Sequence, residues 1–150
     1  MRYQFPDFLR NHCTEAAYSR WLLRKAGGHV RRDRKRGHTK PMVSTYKNAI
    51  HNAVVLSGGL DAYTGKALRW DLISRYRNAA SKAGRTRYKH KFGDLPTVDH
   101  VDGARGEPRF RICAWRTNDA KHDLPYKEFV KLCRQVLAHH RRARGPLRTA

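Results

Sequence analysis

Four polar side chains in the second half of the chain have the types and the spacing of a metal site. Asp99 and His100 are neighbours, and Asn118 and His122 follow four positions apart. Residues four apart on a helix share a face, so the Asn118 amide and the His122 ring could reach one point. Together with Asp99 they would form a hard, open-sided site for a divalent cation. We therefore predict Asp99, Asn118 and His122 as metal ligands, with Mg²⁺ or Mn²⁺ favoured over Zn²⁺ because the set is oxygen-rich and has no thiolate.

Two strands and a helix would have to position these side chains. A β-branched run predicts a strand over residues 97–101, and an apolar run predicts a second strand over residues 110–115. Thr117 is the expected N-cap of the helix that would carry the last two ligands. A plainer interpretation stays open, because Asn118 is also a common helix-start residue and His122 could be an ordinary histidine on a helix surface.

This order of strand, strand and helix, with Asp-His on the first strand and Asn on the helix, resembles the core of the His-Asn-His (HNH, ββα-metal) nucleases. The resemblance implies that Asp99 binds the metal and that His100 is the general base that activates water. In that family the pair ends the first strand, although neighbours on an ideal strand point to opposite faces. An asparagine usually stands nine positions before the helix ligand, but here Arg109 does. The group that orients His100 is therefore open, and a backbone carbonyl is one candidate.

Basic side chains at two places are candidates for contact with phosphate. Arg116 and Lys121 lie beside the predicted site, and Lys121 also matches a lysine common in the HNH motif. An earlier basic run supplies a second set, for which we predict nucleic-acid contacts: Arg31, Arg32, Arg34, Lys35 and Arg36. The alternative for this run is a solvated, charged helix face.

The charge of the whole chain indicates a polyanionic partner. The 150 residues carry 33 Lys and Arg against 12 acids, which gives a formal net charge of +21. Nucleic acid is the expected partner, with DNA favoured over RNA, and no amphipathic stretch favours a membrane surface. A single ββα core acts on one strand, so cutting both strands would require a homodimer or repeated events. A ribosomal type of RNA binder would also explain the charge, but not the spacing of the four polar residues.

Cysteine usage and hydropathy limit the class to which the protein could belong. No apolar run approaches the roughly 20 residues of a membrane span, and the first residues lack the apolar segment of a secretory signal. We therefore expect a cytoplasmic protein. Cys13, Cys113 and Cys133 are widely spaced, so the zinc knuckle of some HNH relatives is absent. Cys113 and Cys133 stand among apolar residues and are predicted to be buried.

The remaining pattern predicts helices around this core. Thr14 should cap a first helix that Gly27 and Gly28 weaken, and Ser44 should cap a second. Residues 78–92 and the segment after Pro125 should form two more helices. Between the second and third helices, a tight turn is expected in residues 60–70. Asp61 stands there roughly where a zinc-binding cysteine would, so the packing of Tyr63, Leu68 and Trp70 would have to hold the turn.

These features predict an α+β fold, a mostly helical single domain around a small ββα-metal (His-Me finger) core. We expect a basic N-terminal helical arm over residues 1–43, an HNH-like nuclease domain over residues 44–144 and a disordered tail over residues 145–150. The resemblance implies a metal-dependent endonuclease that hydrolyses phosphodiester bonds in nucleic acid. The alternative is a non-catalytic basic module that binds DNA or RNA with a degenerate nuclease core.

Overall fold

Five α-helices and one pair of strands form the regular structure of the described residues, 3–38, 40–101 and 108–144, in a computed structural model. The helices are α1 (Glu15–Lys35), α2 (Val43–Ser57), α3 (Asn78–Lys91), α4 (Trp115–Lys121) and α5 (Tyr126–Arg144), and the strands are β1 (Pro96–His100) and β2 (Phe110–Ala114). Short 3-10 helices span Asp7–Leu9 and Trp70–Ser74. The mixture of helix and sheet confirms the α+β class. The predicted tail, residues 145–150, lies outside the described residues.

Helix α1 is the longest element and starts where the sequence predicts. The Thr14 hydroxyl accepts a hydrogen bond from the Ala17 backbone N–H at 3.2 Å, which satisfies one of the free donors of the first turn. The helix then runs without interruption through Gly27 and Gly28. Its tertiary contacts therefore outweigh the low helix propensity of the two glycines.

The apolar core lies where α1 packs against α2 and against the Trp70–Ser74 turn. Trp21 and Trp70 meet edge to face with ring centroids 5.3 Å apart, and Tyr18 stacks beside Trp21 at 6.1 Å. Ile50 and Val54 of α2 are fully buried in the same cluster. Helix α1 is thus part of the core.

Strands β1 and β2 form an antiparallel hairpin that matches the predicted strands to within one residue. In the register, Asp99 lies opposite Arg111 and His100 lies opposite Phe110. Directly opposite residues share a face of the sheet and consecutive residues alternate. The hairpin therefore presents Asp99 with Arg111 on one face and His100 with Phe110 on the other.

Helix α4 follows β2 directly, and its start differs from the prediction. It begins at Trp115, so Thr117 is a residue inside the helix and not its N-cap. The helix ends at Lys121, and His122 has a left-handed φ of 51°. The prediction that Asn118 and His122 share a helix face four residues apart is therefore wrong, because only Asn118 lies on the helix.

The chain divides into two units, residues 1–120 and 121–150. In the second unit, α5 begins right after Pro125, as predicted. Cys113 is buried as predicted, whereas Cys133 is exposed, so its predicted burial is wrong. Within the described residues, none of the helices has the length and apolar character needed to cross a membrane.

Candidate functional site

A buried carboxylate connects the turn after α2 to the junction between β2 and α4. Asp61 is only 3 % exposed and accepts four hydrogen bonds. Two come from its own turn, from the backbone N–H groups of Tyr63 at 2.8 Å and Thr64 at 3.3 Å. The other two come from the Ala114 N–H at 3.0 Å and the Thr117 hydroxyl at 2.6 Å. The carboxylate thus holds the turn where the sequence offers only apolar packing.

The predicted metal ligand Asp99 is attached to the same turn. Its carboxylate is 7 % exposed and accepts a short hydrogen bond from the Tyr63 hydroxyl. Burial, followed by this bond to Asp99, raises the pKa of the Tyr63 hydroxyl, so the phenol keeps its proton and acts as a donor. The Arg111 guanidinium lies 5.8 Å from the Tyr63 ring centroid. Asp99 is therefore held in a fixed orientation among polar neighbours.

Asn118 lies in the first unit with Asp99. Hydrogen bonds connect Asp99 itself, and the residue next to Asn118, to the turn of residues 61–64. Thr117, the neighbour of Asn118 on α4, donates to Asp61, while Asp99 accepts from Tyr63. Asn118 is half-buried. His122 belongs to the second unit, where its ring contacts the Asp123 carboxylate at 3.0 Å. Its role as a third ligand stays a prediction.

His100 packs against α1, on the opposite side of the hairpin from Asp99. Its ring stacks on Phe110 with centroids 5.1 Å apart, and the His29 ring is 6.0 Å away. Within the described residues no group hydrogen-bonds to the ring, so aromatic packing sets its orientation. Strand β1 includes His100, and the Arg109 carbonyl accepts a hydrogen bond from the Val101 N–H at 2.9 Å. The Arg109 backbone thus extends the hydrogen bonding between the two chain segments by one residue pair beyond His100.

The electrostatic surroundings of His100 favour its neutral form. Burial is the main cause of its lowered pKa, and the positive charges of Arg36 and Arg32 lower it further. The carboxylate of Asp33 opposes this effect. A half-buried imidazole with a lowered pKa is neutral at pH 7 and can accept a proton.

Three buried polar residues around His100 were missed by the sequence analysis. Asp33 is 1 % exposed and accepts a hydrogen bond from the Tyr46 hydroxyl at 2.5 Å. Burial lowers the pKa of His29, one turn before Asp33, to about 3. The useful signal was the spacing of His29 and Asp33, which are four apart and continue the apolar face of α1. Tyr46 carried no such signal, because its partner lies on another helix.

The number of metal-binding side chains is small. Within residues 3–38, 40–101 and 108–144, no group of three or more His, Cys, Asp or Glu could hold a metal ion. The predicted protein ligands in the first unit are one carboxylate and one amide. This set fits Mg²⁺ better than Zn²⁺, because Mg²⁺ keeps several waters and needs only one or two carboxylates from the protein.

The predicted phosphate-binding residues differ in their surroundings. Those of α1 and its end are exposed: Arg31, Arg32, Arg34, Lys35 and Arg36. Arg36 also pairs with Asp33 at 3.7 Å, and Arg116 pairs with Asp94 at 3.1 Å. Lys121 is 6 % exposed, and its contact with phosphate beside the site stays a prediction.

Comparison with known proteins adds no family assignment. No protein-family model matches the chain, and no curated protein or solved structure matches it significantly.

Proposed function

We propose that the protein is a metal-dependent endonuclease of the HNH type that hydrolyses phosphodiester bonds in nucleic acid, with DNA favoured over RNA. The observation that carries the proposal is the hairpin with Asp99-His100 at the end of its first strand, followed directly by the helix that carries Asn118. This is the order of elements and residues on which the resemblance to HNH nucleases depends. The turn of residues 61–64, which the buried Asp61 holds, supports it, since both Asp99 and the first turns of α4 are bonded to that turn.

In the proposed site, Asp99 and Asn118 would hold Mg²⁺ or Mn²⁺ through oxygen atoms. The ion would act as a Lewis acid on the phosphate and the leaving oxygen. Tyr63 would fix the Asp99 carboxylate by its hydrogen bond. A carboxylate has about four acceptor positions, so one phenol does not exhaust its capacity.

His100 would be the general base. A neutral imidazole can take a proton from the attacking water, and the lowered pKa keeps it neutral at pH 7. Stacking on Phe110 would hold the ring in place of the asparagine that HNH nucleases usually have. The nearby Asp33 carboxylate would stabilise the imidazolium that forms when the proton is transferred.

A cleavage assay tests the proposal. Single- and double-stranded DNA and RNA are incubated with the protein and Mg²⁺ or Mn²⁺, with and without EDTA. We expect metal-dependent cleavage that His100→Ala and Asp99→Asn each reduce by roughly two orders of magnitude or more. The matched control is His90→Ala, which removes an exposed histidine from α3 and should leave cleavage unchanged. Equal cleavage by His100→Ala and the unaltered protein would remove His100 from the mechanism.

A second candidate function is a non-catalytic basic module that binds nucleic acid. It is favoured by the small set of possible ligands and by the placement of Asp99 and His100 on opposite faces of the hairpin. Metal-dependent thermal stabilisation separates the two candidates. A nuclease site should raise Tm with Mg²⁺ or Mn²⁺, and Asp99→Ala should abolish that rise. Binding of nucleic acid without a metal response or cleavage would favour the module.

A further inference from the structure

A cleft of about 330 Å³ opens along one face of α1. Five cationic side chains and one glycine line it: Arg24, Lys25, Gly28, Arg31, Arg32 and Lys35. The spacing of 24, 28, 31, 32 and 35 is that of a single helix face, so a continuous helix is what brings these charges together. A β-carbon on Gly28 would meet no other atom within 4 Å, so the glycine leaves open space.

These cations converge without an acidic partner. In the described part of the chain, none of the five forms an ion pair with a carboxylate, whereas Arg36 pairs with Asp33 and Arg116 with Asp94. Like charges gathered on one face repel one another, and water alone compensates this repulsion only in part. An anion bound in the cleft would offset this repulsion between the cations.

Lys25 shows the effect of this repulsion. Its pKa is lowered to about 8, chiefly by burial and then by the charges of Arg24 and Arg32. The ammonium donates a hydrogen bond to the Thr97 hydroxyl at 3.0 Å, which connects the cleft to the start of β1. At the other end, Arg32 lies 3.0 Å from the His29 ring, which in turn packs near His100.

We propose that this cleft is a phosphate-binding site that holds a backbone phosphate of the nucleic acid next to the phosphate that is cut. The inference rests on the proposed function only in taking nucleic acid as the source of the phosphate. Arginine presents a planar fork of donors that matches phosphate oxygens, and lysine adds a compact charge. Thr97 and Asp99 are two residues apart on the same face of β1, roughly 7 Å, so the bound phosphate would flank the reacting one.

Binding in EDTA tests the site without cleavage. The affinity for a fluorescent 12-nucleotide DNA, single-stranded and duplex, is measured between 50 and 200 mM NaCl. The cleft variant is the double substitution Arg24→Gln/Arg31→Gln, since both side chains are exposed and their loss should not disturb folding. The matched control is Arg20→Gln/Arg87→Gln, which removes two exposed charges that lie outside the cleft and outside the predicted nucleic-acid contacts.

We expect the cleft variant to bind more weakly and to reduce the slope of log K against log salt by about 1, the value for one lost phosphate contact. The control variant should keep most of the slope of log K against log salt. If both variants weaken binding equally, charge alone determines affinity and the site does not exist.

The pKa of the Lys25 amine, followed by NMR, provides a second readout. We expect saturating oligonucleotide to raise it from about 8 towards the ordinary lysine value of 10.5. Inorganic phosphate is the comparison: a rise with millimolar phosphate but none with the oligonucleotide would make this a small-anion site and overturn the inference. No rise with either would overturn it as well.

These measurements separate the inference from the nuclease proposal. If the protein cuts nucleic acid but the cleft variant matches its control in binding, only the inference is lost. In the opposite case, the oligonucleotide raises the Lys25 pKa and the cleft variant has a smaller slope of log K against log salt, but no cleavage occurs. The phosphate site is then supported and the nuclease proposal is contradicted.

Discussion

At the scale of single residues, Asp61 determines how the candidate site is assembled. Its two oxygens accept from the backbone of its own turn and from the β2–α4 junction. A carboxylate can receive all these donors because it has acceptor positions only. Asp61 therefore connects the turn after α2 to the β2–α4 junction through hydrogen bonds.

Asp61→Asn should lower the free energy of unfolding by about 2–3 kcal/mol, because an amide nitrogen would then face buried donors. Urea unfolding followed by circular dichroism measures this change. The matched control is Asp71→Asn, whose partners Arg69 and Arg75 are exposed. It should cost less than about 1 kcal/mol, as surface ion pairs do. Similar losses in both variants would show that Asp61 does not hold the turn.

His29 makes stability depend on pH. Its pKa is about 3 in the folded chain, lowered by burial from 6.5, so the unfolded chain binds more protons between these values. Stability from this group is complete above pH 6.5 and is lost as the pH falls. From pH 7 to pH 5 the loss is about 2 kcal/mol.

His29→Gln should flatten this profile, measured as unfolding free energy at several pH values. Some dependence of the unfolding free energy on pH remains, because burial also lowers the pKa of His51 and His100. The control is His90→Gln on the exposed face of α3, which should keep the original slope. An unchanged profile in His29→Gln would contradict the expectation.

At the scale of elements, α1 combines two tasks that make opposite demands on Gly28. A helix interior favours alanine over glycine by about 0.5–1 kcal/mol, yet Gly28 lines the cationic cleft, where a β-carbon would take up open space. Gly27→Ala and Gly28→Ala should each raise stability by this amount, measured by urea unfolding. A β-carbon at Gly27 would make only an ordinary contact with Arg31 at 3.6 Å. Only Gly28→Ala should also weaken oligonucleotide binding, and a loss of stability in both variants would contradict the expectation.

The sequence predicted those elements whose signals are local. Thr14 caps α1, and α3 matches the helix predicted over residues 78–92 to within one residue, because a capping side chain or a 3.6-residue apolar pattern acts over a few positions. The start of α4 was wrong because the strand runs into the helix without a capping residue. The left-handed turn at His122 could not be predicted either, since histidine seldom adopts it.

The sequence proposes the residues of the candidate site but not the groups that support them. Asp99, His100 and Asn118 are predicted from their spacing along the chain and stay a prediction. Asp61 and Tyr63, which hold Asp99, come from a turn about forty residues earlier, and pairing over such distances leaves no periodic signal. The residues near His100 were missed for the same reason, because they lie on two other helices. His29 and Tyr46 pack against Phe110, on which His100 stacks, and Tyr46 donates a hydrogen bond to Asp33.

At the scale of the whole molecule, a net charge of +21 on 150 residues favours expansion. Salt screens this repulsion over about 10 Å at 0.1 M. Raising NaCl from 10 to 200 mM should therefore stabilise the fold on the order of 1 kcal/mol, or about 2–4 °C in Tm. Scanning calorimetry measures the shift, with KCl as the control for ion identity. A fall in Tm with either salt would show that attractive ion pairs outweigh the repulsion.

The hairpin is only two strands wide, so each strand has one outer edge that could pair with a foreign chain. The outer edge of β1 is occupied where a backbone group of Val98 hydrogen-bonds the His29 ring. On β2, the Ile112 carbonyl accepts from the Ala62 N–H at 3.0 Å, and the Ala114 N–H donates to Asp61. Edges covered in this way do not template the addition of further strands. Loosening of α1 or of the 61–64 turn would therefore uncover these edges and expose the molecule to aggregation.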